Sequence, residues 1–275
     1  MLNDAEDHHH AGPDYSVPPV VRAIKVLRHI AAGRSVSNQS QAARALGINR
    51  TTLLRLLRTL EAEGFIERIP DTDDFTLGTG VIELAANKIY SFDAAQVASP
   101  VLARLTAQLG LSSHLGVLEG REVLYVLRHA PNLHLVSNVR IGTRMPAYAS
   151  TLGRTILAHM PVADVRALYR DVPLVPVTDK TATTLRELEK QLDVVRQEGI
   201  SDARSGYEIG IDAIGAPVFD HSGTAIAAIN VSGPERAFAT PANRRAEIAA
   251  ALLDAAAEIS KRLGYIDKTG KRARG

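Results

Sequence analysis

"ARALGINRTTLLRLLRTL", residues Ala43–Leu60, carries four arginines, six leucines and no carboxylate. Leu53, Leu56, Leu57 and Leu60 recur at i, i+3, i+4 and i+7, the spacing of one helical face. The helix starts near Asn49, and Gly64 ends the pattern. Surface helices usually mix signs, because oppositely charged pairs three or four residues apart support the helix. Here the counter-charge is missing, and it stays missing on the N-terminal side. No Asp or Glu occurs between Asp14 and Glu61, whereas Arg22, Lys25, Arg28, Arg34, Arg44, Arg50, Arg55 and Arg58 do. These eight basic residues give a block of +8 in a chain whose net charge is +2. One sign concentrated in one segment is the electrostatic pattern of a surface that meets a polyanion; the alternative is a solvated basic face.

Working outward, a first helix starts at Pro18 or Pro19, whose fixed φ suits a first turn. Val20, Ile24, Leu27 and Ile30/Ala31 are its expected apolar face, and Gly33 its end. A second helix follows a cap at Ser37 or Asn38, runs from Gln39 to Leu46 and stops at Gly47. Ala43 and Gly47 read as the small residues that let the second and third helices cross closely, with Ile48, Leu53 and Leu56 as apolar contacts. Beyond Gly64, Phe65–Ile69 and Phe75–Leu77 read as strands joined by the turn-forming Pro70-Asp71-Thr72-Asp73-Asp74.

Helix, helix, tight turn, helix and hairpin make a helix-turn-helix with a wing. In that motif the recognition helix enters the DNA major groove by its first turn, which puts Asn49, Arg50, Thr51 and Thr52 closest to base edges, with Arg55 one turn later. Arginine either reads guanine in bidentate fashion or holds a phosphate, and both roles stay open here. Ser37, Asn38 and Gln39 at the second helix's start, and Arg68 on the wing, are candidate backbone contacts; capping and solvation are their alternative.

The chain has 275 residues, 45% hydrophobic and 23% charged, enough for two globular domains. No apolar run approaches the length of a bilayer span, and Met1–Pro13 is acidic and His-rich, unlike a signal peptide. Zero cysteines remove disulfides, thiol nucleophiles and Cys-based zinc sites. A cytoplasmic address, no membrane partner and no cofactor are expected; three adjacent histidines in a tail, His8–His10, do not make a site. An enzyme is the main rival class, and its local signatures are absent: no G-x-S-x-G, no G-x-x-x-x-G-K, no H-E-x-x-H and no G-x-G-x-x-G. His129 and His134 are separated by Pro131 and cannot share a helical face as two metal ligands. Gly80–Gly110 reads as two helical stretches broken near Phe92-Asp93. Further on, extended runs at Leu115–Leu118 and Val123–Leu127 mix with helical ones at Leu185–Glu198 and Arg244–Leu263, which suits a sheet covered by helices.

Three separated stretches carry a family resemblance. "GINRTTLLRLLRTLEAEGFIER" followed by "FTLG", then "IGTRMPAYASTLGRTILA" (Ile141–Ala158), then "GIDAIGAPVFDHSGTAIAAINVSGP" (Gly210–Pro234) resemble, in order, the IclR-type bacterial transcription regulators. The resemblance implies a mixed α+β and α/β chain of two domains: an N-terminal winged helix-turn-helix, a helical linker and a C-terminal GAF-like α/β effector domain. The corresponding boundaries are a disordered tail over 1–16, the DNA-binding domain over 17–79, the linker helix over 80–94, the effector domain over 95–266 and a basic tail over 267–275. It further implies a double-stranded DNA operator, a small organic acid effector, and assembly as a homodimer or dimer of dimers. By the same resemblance, Thr151 and Leu152 stand where backbone N–H groups meet a ligand carboxylate, and Asn230 and Ser232 are the paired polar positions of the facing strand. Met145, Ile211 and Ala213 are apolar walls, and His134 and Ser137 lie on the strand just before.

One departure bears on the ligand. In "SDARSGYEIG", Ala203 stands where relatives often carry an acid, and Arg204 follows. Losing a carboxylate removes repulsion toward an anion, and Arg204 is either a partner for that anion or a solvent-facing residue. "VRIGTRMPAYASTLGR" is most similar to regulators of aromatic-acid catabolism, so an aromatic or ring-cleavage carboxylate is the expected effector and a catabolic operon the expected target. The alternative is a small-molecule sensor that acts through protein partners; salt-dependent DNA binding separates the two.

Overall fold

The computed structural model describes residues 16–90, 93–131 and 139–266. His8–His10, His134, Ser137, the helix break at 91–92 and the expected basic tail lie outside the described residues. The chain divides into two compact units, one ending at Ser91 and the other beginning at Phe92.

In the first unit, α1 (Pro18–Ala31), α2 (Gln39–Ala45) and α3 (Arg50–Ala62) precede an antiparallel hairpin of β1 (Ile66–Arg68) and β2 (Phe75–Leu77), followed by α4 (Thr79–Tyr90). Asn38 Oδ1 accepts from Gln41 N–H at 3.1 Å, so of the two expected caps Asn38 is the one made, and Asn49 Oδ1 caps α3 by accepting from Thr52 N–H at 2.7 Å. Leu53, Leu57 and Leu60 are buried among Val26, Ile30, Val36, Ala42, Ala43, Ile66 and Phe75, with Leu56 half-buried at the edge.

Two local expectations need correcting. Gly47 is not a point of close helix approach: a Cβ there meets nothing within 4 Å, and the residue is required because its φ is +65°. The buried face of α1 is also not the expected stripe. Val26, His29 and Ile30 are buried, whereas Val20 and Ile24 are 54% and 43% exposed. The small core reaches only the last two turns of α1, where α3 and β2 cover it, so the periodic stripe continues past the end of the core.

The second unit is built on one six-stranded antiparallel sheet in the order β5-β4-β3-β8-β7-β6, from β3 (Ser112–Glu119), β4 (Glu122–His129), β5 (Arg144–Pro146), β6 (Ser201–Arg204), β7 (Ile211–Phe219) and β8 (Ala225–Pro234). One face packs on α5 (Asp93–Leu109), α9 (Arg236–Ala239) and α10 (Arg244–Arg262), through Leu102, Leu115, Ile214, Ile229, Ile248 and Leu252. The other face carries α6 (Thr151–Ala158), α7 (Val162–Leu168) and α8 (Leu185–Glu198), with Leu152, Leu157, Leu188 and Leu192 between them. Helices on both faces leave β7 and β8 buried almost throughout, which is why "IGAPV" and "AAINVS" read as continuous apolar or small runs. The edge by β6 is closed by Arg245, whose Nε and Nη2 hold Asp202 while Nη1 lies 2.7 Å from Asp212 Oδ2.

Candidate functional site

The exposed face of α3 is set by the same periodicity that buries its leucines. Thr51, Arg55 and Arg58 follow one another at i, i+4 and i+7 and are exposed opposite Leu53, Leu57 and Leu60. Arg50 lies to one side, its Nε donating to Gln39 Oε1 at 3.4 Å, and Thr52 is half-buried. None of Arg50, Arg55 and Arg58 forms an ion pair among the described residues. Arg55 and Arg58 repel each other mildly at i, i+3, a cost that an external polyanion reverses. Ser37 is exposed, its Oγ 2.7 Å from Ser35 Oγ, and Asn38 is committed to its cap. Arg68 is not a free cation: its Nε sits 2.9 Å from Glu61 Oε1 and its guanidinium lies over the Phe75 ring. The wing is tied back to the first residues before α2 by Asp74 Oδ1, which accepts from Val36 N–H at 2.8 Å and from Phe75 N–H at 3.0 Å.

In the second unit the strand register lines up two adjacent rows on the face beneath α6. One is His114–Asn230–Gly215–Ser201 and the other Ser112–Ser232–Ala213–Ala203. These are polar or small residues in a place where a sheet face normally carries large apolar ones, and the helix comes down close on them. A Cβ on Gly215 lies 2.8 Å from Thr155 Oγ1 and 3.0 Å from Thr151 Cγ2, and one on Gly153 lies 2.2 Å from Ala147 O. Glycine is needed at both positions for the helix to sit where it does. Ser150 caps α6, its Oγ accepting from Gly153 N–H at 3.0 Å, and the first residue of the helix, Thr151, lies against Gly215 in one of the polar rows.

Five of the expected ligand positions, Thr151, Leu152, Ala213, Asn230 and Ser232, are thus brought together, with Ile211 two residues before Ala213 on the same face of β7. Met145 reaches the group only through Leu152. It lies on β5, three strands away from Asn230, where it pairs with Val123 of β4 and packs into the apolar cluster around Leu152 and Leu157. Arg204 does not face the rows: in β6, Ser201 and Ala203 are buried on the α6 side while Asp202 and Arg204 alternate to the other.

One site residue, His114, escaped the sequence, and so did a buried cation outside the two rows, Arg154. His114 is 1% exposed; its Nδ1 lies 2.9 Å from Asn230 Oδ1, and its Nε2 has no hydrogen-bond partner among the described residues. Burial, reinforced by the charge of Arg128 and opposed by the Asn230 bond, brings its pKa down to about 4. The ring is therefore neutral; with Asn230 Oδ1 as its acceptor Nδ1 carries the proton, and Nε2, on the side of the ring turned away from Asn230, carries the lone pair. The edge of Tyr125 closes one side, ring centres 5.5 Å apart. Arg154, in the next turn of α6, is also buried, and burial alone lowers its guanidinium to about 10. "SSH" and "GR" hold these residues, but nothing local says which face of the sheet or helix is interior.

A winged helix with an unpaired cationic recognition face is the build of a DNA-binding regulator. The family comparison agrees. The model of the IclR helix-turn-helix domain matches residues 19–70, and that of the bacterial transcriptional regulator IclR C-terminal domain matches residues 86–261. The chain belongs to the IclR family of bacterial transcriptional regulators, which are DNA-binding proteins and not enzymes. It is 28% identical to the HTH-type transcriptional regulator KdgR of Escherichia coli (strain K12) over 258 residues, 93% of this chain and 95% of that protein. Its fold is similar to the crystal structure of transcriptional regulator RHA06195 from Rhodococcus sp. RHA1, with a TM-score of 0.78 and 29% identity over 90% of this chain and 98% of that one. It is likewise similar to an IclR homolog from Microbacterium hydrocarbonoxydans complexed with 4-hydroxybenzoate, with a TM-score of 0.77 and 25% identity over 89% and 98% of the two chains. Among the described residues no helix is long and apolar enough to cross a membrane.

Proposed function

We propose that this regulator binds a double-stranded operator through α3 as a homodimer or dimer of dimers, and that a small aromatic hydroxy acid seated at the N-terminus of α6 changes its operator affinity. Asn49, Arg50, Thr51, Thr52 and Arg55 face the major groove in this reading, with Ser37, Asn38, Gln39 and Arg68 at the flanking backbone. The controlled genes belong to the catabolism of the effector or a related acid.

The observation that carries the ligand class is the lone pair of His114 Nε2, buried and without a partner among the described residues, on a ring whose other nitrogen is held by Asn230. Backbone N–H groups at a helix N-terminus favour a carboxylate. A neutral imidazole nitrogen favours a hydroxyl donor, and the Tyr125 ring, edge-on to His114, favours an aromatic body beside it. The ligand named for the Microbacterium homolog, 4-hydroxybenzoate, has all three parts.

Fluorescence anisotropy on the DNA upstream of the protein's own gene tests both halves, comparing wild type with Arg50→Ala/Arg55→Ala at two salt concentrations, with and without 4-hydroxybenzoate. Tight, salt-sensitive binding over scrambled DNA, lost in the double variant and shifted by the acid, is the expected result. Binding without sequence preference and equal in both proteins overturns the DNA reading in favour of a sensor with protein partners. Calorimetric binding of the acid that leaves operator affinity unchanged overturns the coupling.

A further inference from the structure

We propose a second small-molecule site in the effector unit, beside the second turn of α6, that takes a short hydroxylated carboxylate on Arg154, Gln191 and Ser201. A cavity of about 250 Å³ lies there between α6, α8 and β6; none of the nine residues expected to hold the effector lines it, and Ser201 and Ala203, the β6 ends of the two rows, form the wall it shares with the floor beneath α6.

Three polar groups in its wall are incompletely satisfied. Arg154 is 7% exposed, yet among the described residues its guanidinium makes one hydrogen bond, from Nη1 to Ala149 O at 3.1 Å, and no ion pair. A buried cation without a counter-ion is among the costliest arrangements in a protein interior, and water cannot neutralise its charge. Ser201 is 1% exposed, and its Oγ has no partner among the described residues. Gln191 donates through Nε2 to Lys180 O at 3.1 Å, which leaves Oε1 as the free end of the amide, buried and without a partner among the same residues.

The surroundings favour an anion of small size. Lys180 adds a second cation at the rim, held there by its Nζ donating to Arg204 O at 2.7 Å. Of the two acids in the wall, Asp202 is already taken by Arg245, so only Glu198 opposes an incoming negative charge. Space in front of the guanidinium is kept by Gly206, where a Cβ would lie 3.8 Å from Arg154 Nη2 and 2.9 Å from Ala203 Cβ. A carboxylate answers Arg154 and Lys180. Gln191 Oε1 accepts only, so it selects a hydroxyl on the same molecule, and Ser201 Oγ serves either part. The volume sits below the usual range for drug-sized ligands and suits an acid of about three to six carbons.

Calorimetry on the full chain with D-glycerate as probe tests the site. Saturable binding is expected, weakened about fivefold in each of Ser201→Ala and Gln191→Leu, as for one lost hydrogen bond. Propionate, which lacks the hydroxyls, is expected to bind about tenfold more weakly. Ser232→Ala, on β8 in the row of the proposed effector site, leaves the glycerate affinity unchanged, so the two sites are told apart. Arg154→Gln abolishes binding; if that variant does not fold, the exposed Lys180→Ala takes its place, with a loss of about threefold. No saturable glycerate binding, equal affinity for propionate, or sensitivity to Ser232→Ala with indifference to Ser201→Ala overturns the proposal.

Discussion

His114 Nδ1 and Asn230 Oδ1 lie 2.9 Å apart across two neighbouring strands, although the residues are 116 positions apart in the chain. The bond settles the tautomer of a buried ring, and through it the kind of group the floor beneath α6 can accept. Removing the amide in Asn230→Ala leaves the Nδ1–H of a nearly inaccessible ring without an acceptor. We expect a loss of about 1–3 kcal/mol of stability in urea unfolding. Weaker binding of 4-hydroxybenzoate should accompany it.

The same ring makes a pH prediction. With the folded-state pKa lowered from 6.5 to about 4, the unfolded chain takes up a proton that the native protein refuses. Its contribution to stability is complete above pH 6.5, falls as acid is added toward pH 4, and is constant below. At 1.36 kcal/mol per unit this amounts to about 2 kcal/mol between pH 6.5 and 5. Urea midpoints at pH 7 and pH 5 should fall further for wild type than for His114→Gln, which keeps a polar side chain but does not titrate.

On the DNA side, Arg55 projects from the middle of the exposed α3 face beside Thr51 and Arg58. If it holds a phosphate, Arg55→Ala lowers the steepness of log K against log salt by about 1 and weakens all sequences alike. A slope unchanged together with lost preference at one base pair assigns it to base readout instead. Anisotropy titrations on a set of single-base operator variants read both outcomes.

Arg245 holds Asp202 and the 1%-exposed Asp212 together at the β6–β7 edge, and Asp212 Oδ1 also accepts from Ser205 N–H at 3.0 Å. Arg245→Ala strands the buried Asp212 carboxylate. The expected cost is about 3–5 kcal/mol, measured by chemical unfolding. Replacing both Asp212 and Arg245 by apolar residues should recover much of that loss.

Gly215→Ala pushes a methyl against Thr151 and Thr155, and the helix must lift or the threonines must turn. Overpacking of this kind costs about 1–3 kcal/mol. In the proposed site α6 carries the N–H groups offered to the effector, so ligand affinity should fall with stability. A variant that melts lower but binds 4-hydroxybenzoate unchanged would separate the helix position from the site.

Asp74 connects the wing to the segment before α2. Its slight burial raises its pKa, but hydrogen bonds from Ser35, Val36, Phe75 and Ser37 outweigh that and hold the carboxyl below its ordinary 3.8. The contribution is therefore present above pH 3.8 and disappears as the pH falls through the lower folded value. Asp74→Ala should destabilise the winged helix by about 2 kcal/mol at neutral pH and loosen the wing. Amide exchange at Val36 and Phe75 is the direct readout.

Helical order, caps and the two faces of α3 were legible in the sequence, because each depends on residues within about two turns of one another. Asn38 and Asn49 cap by reaching three residues ahead, and a period of 3.6 separates Leu53, Leu57 and Leu60 from Thr51, Arg55 and Arg58 without outside help. The bounds of α8 followed from the same local rules. Tertiary structure alone decided how far along α1 the core extends, which leaves Val20 and Ile24 exposed while Val26 and Ile30 are covered. It also decided the strand register that sets His114 beside Asn230, and the docking of α6 that buries Arg154. Strand partners distant in the chain are matched by packing and hydrogen bonding over the whole sheet, and a shift of one residue would turn His114 to the opposite face. Local periodicity carries no record of that choice.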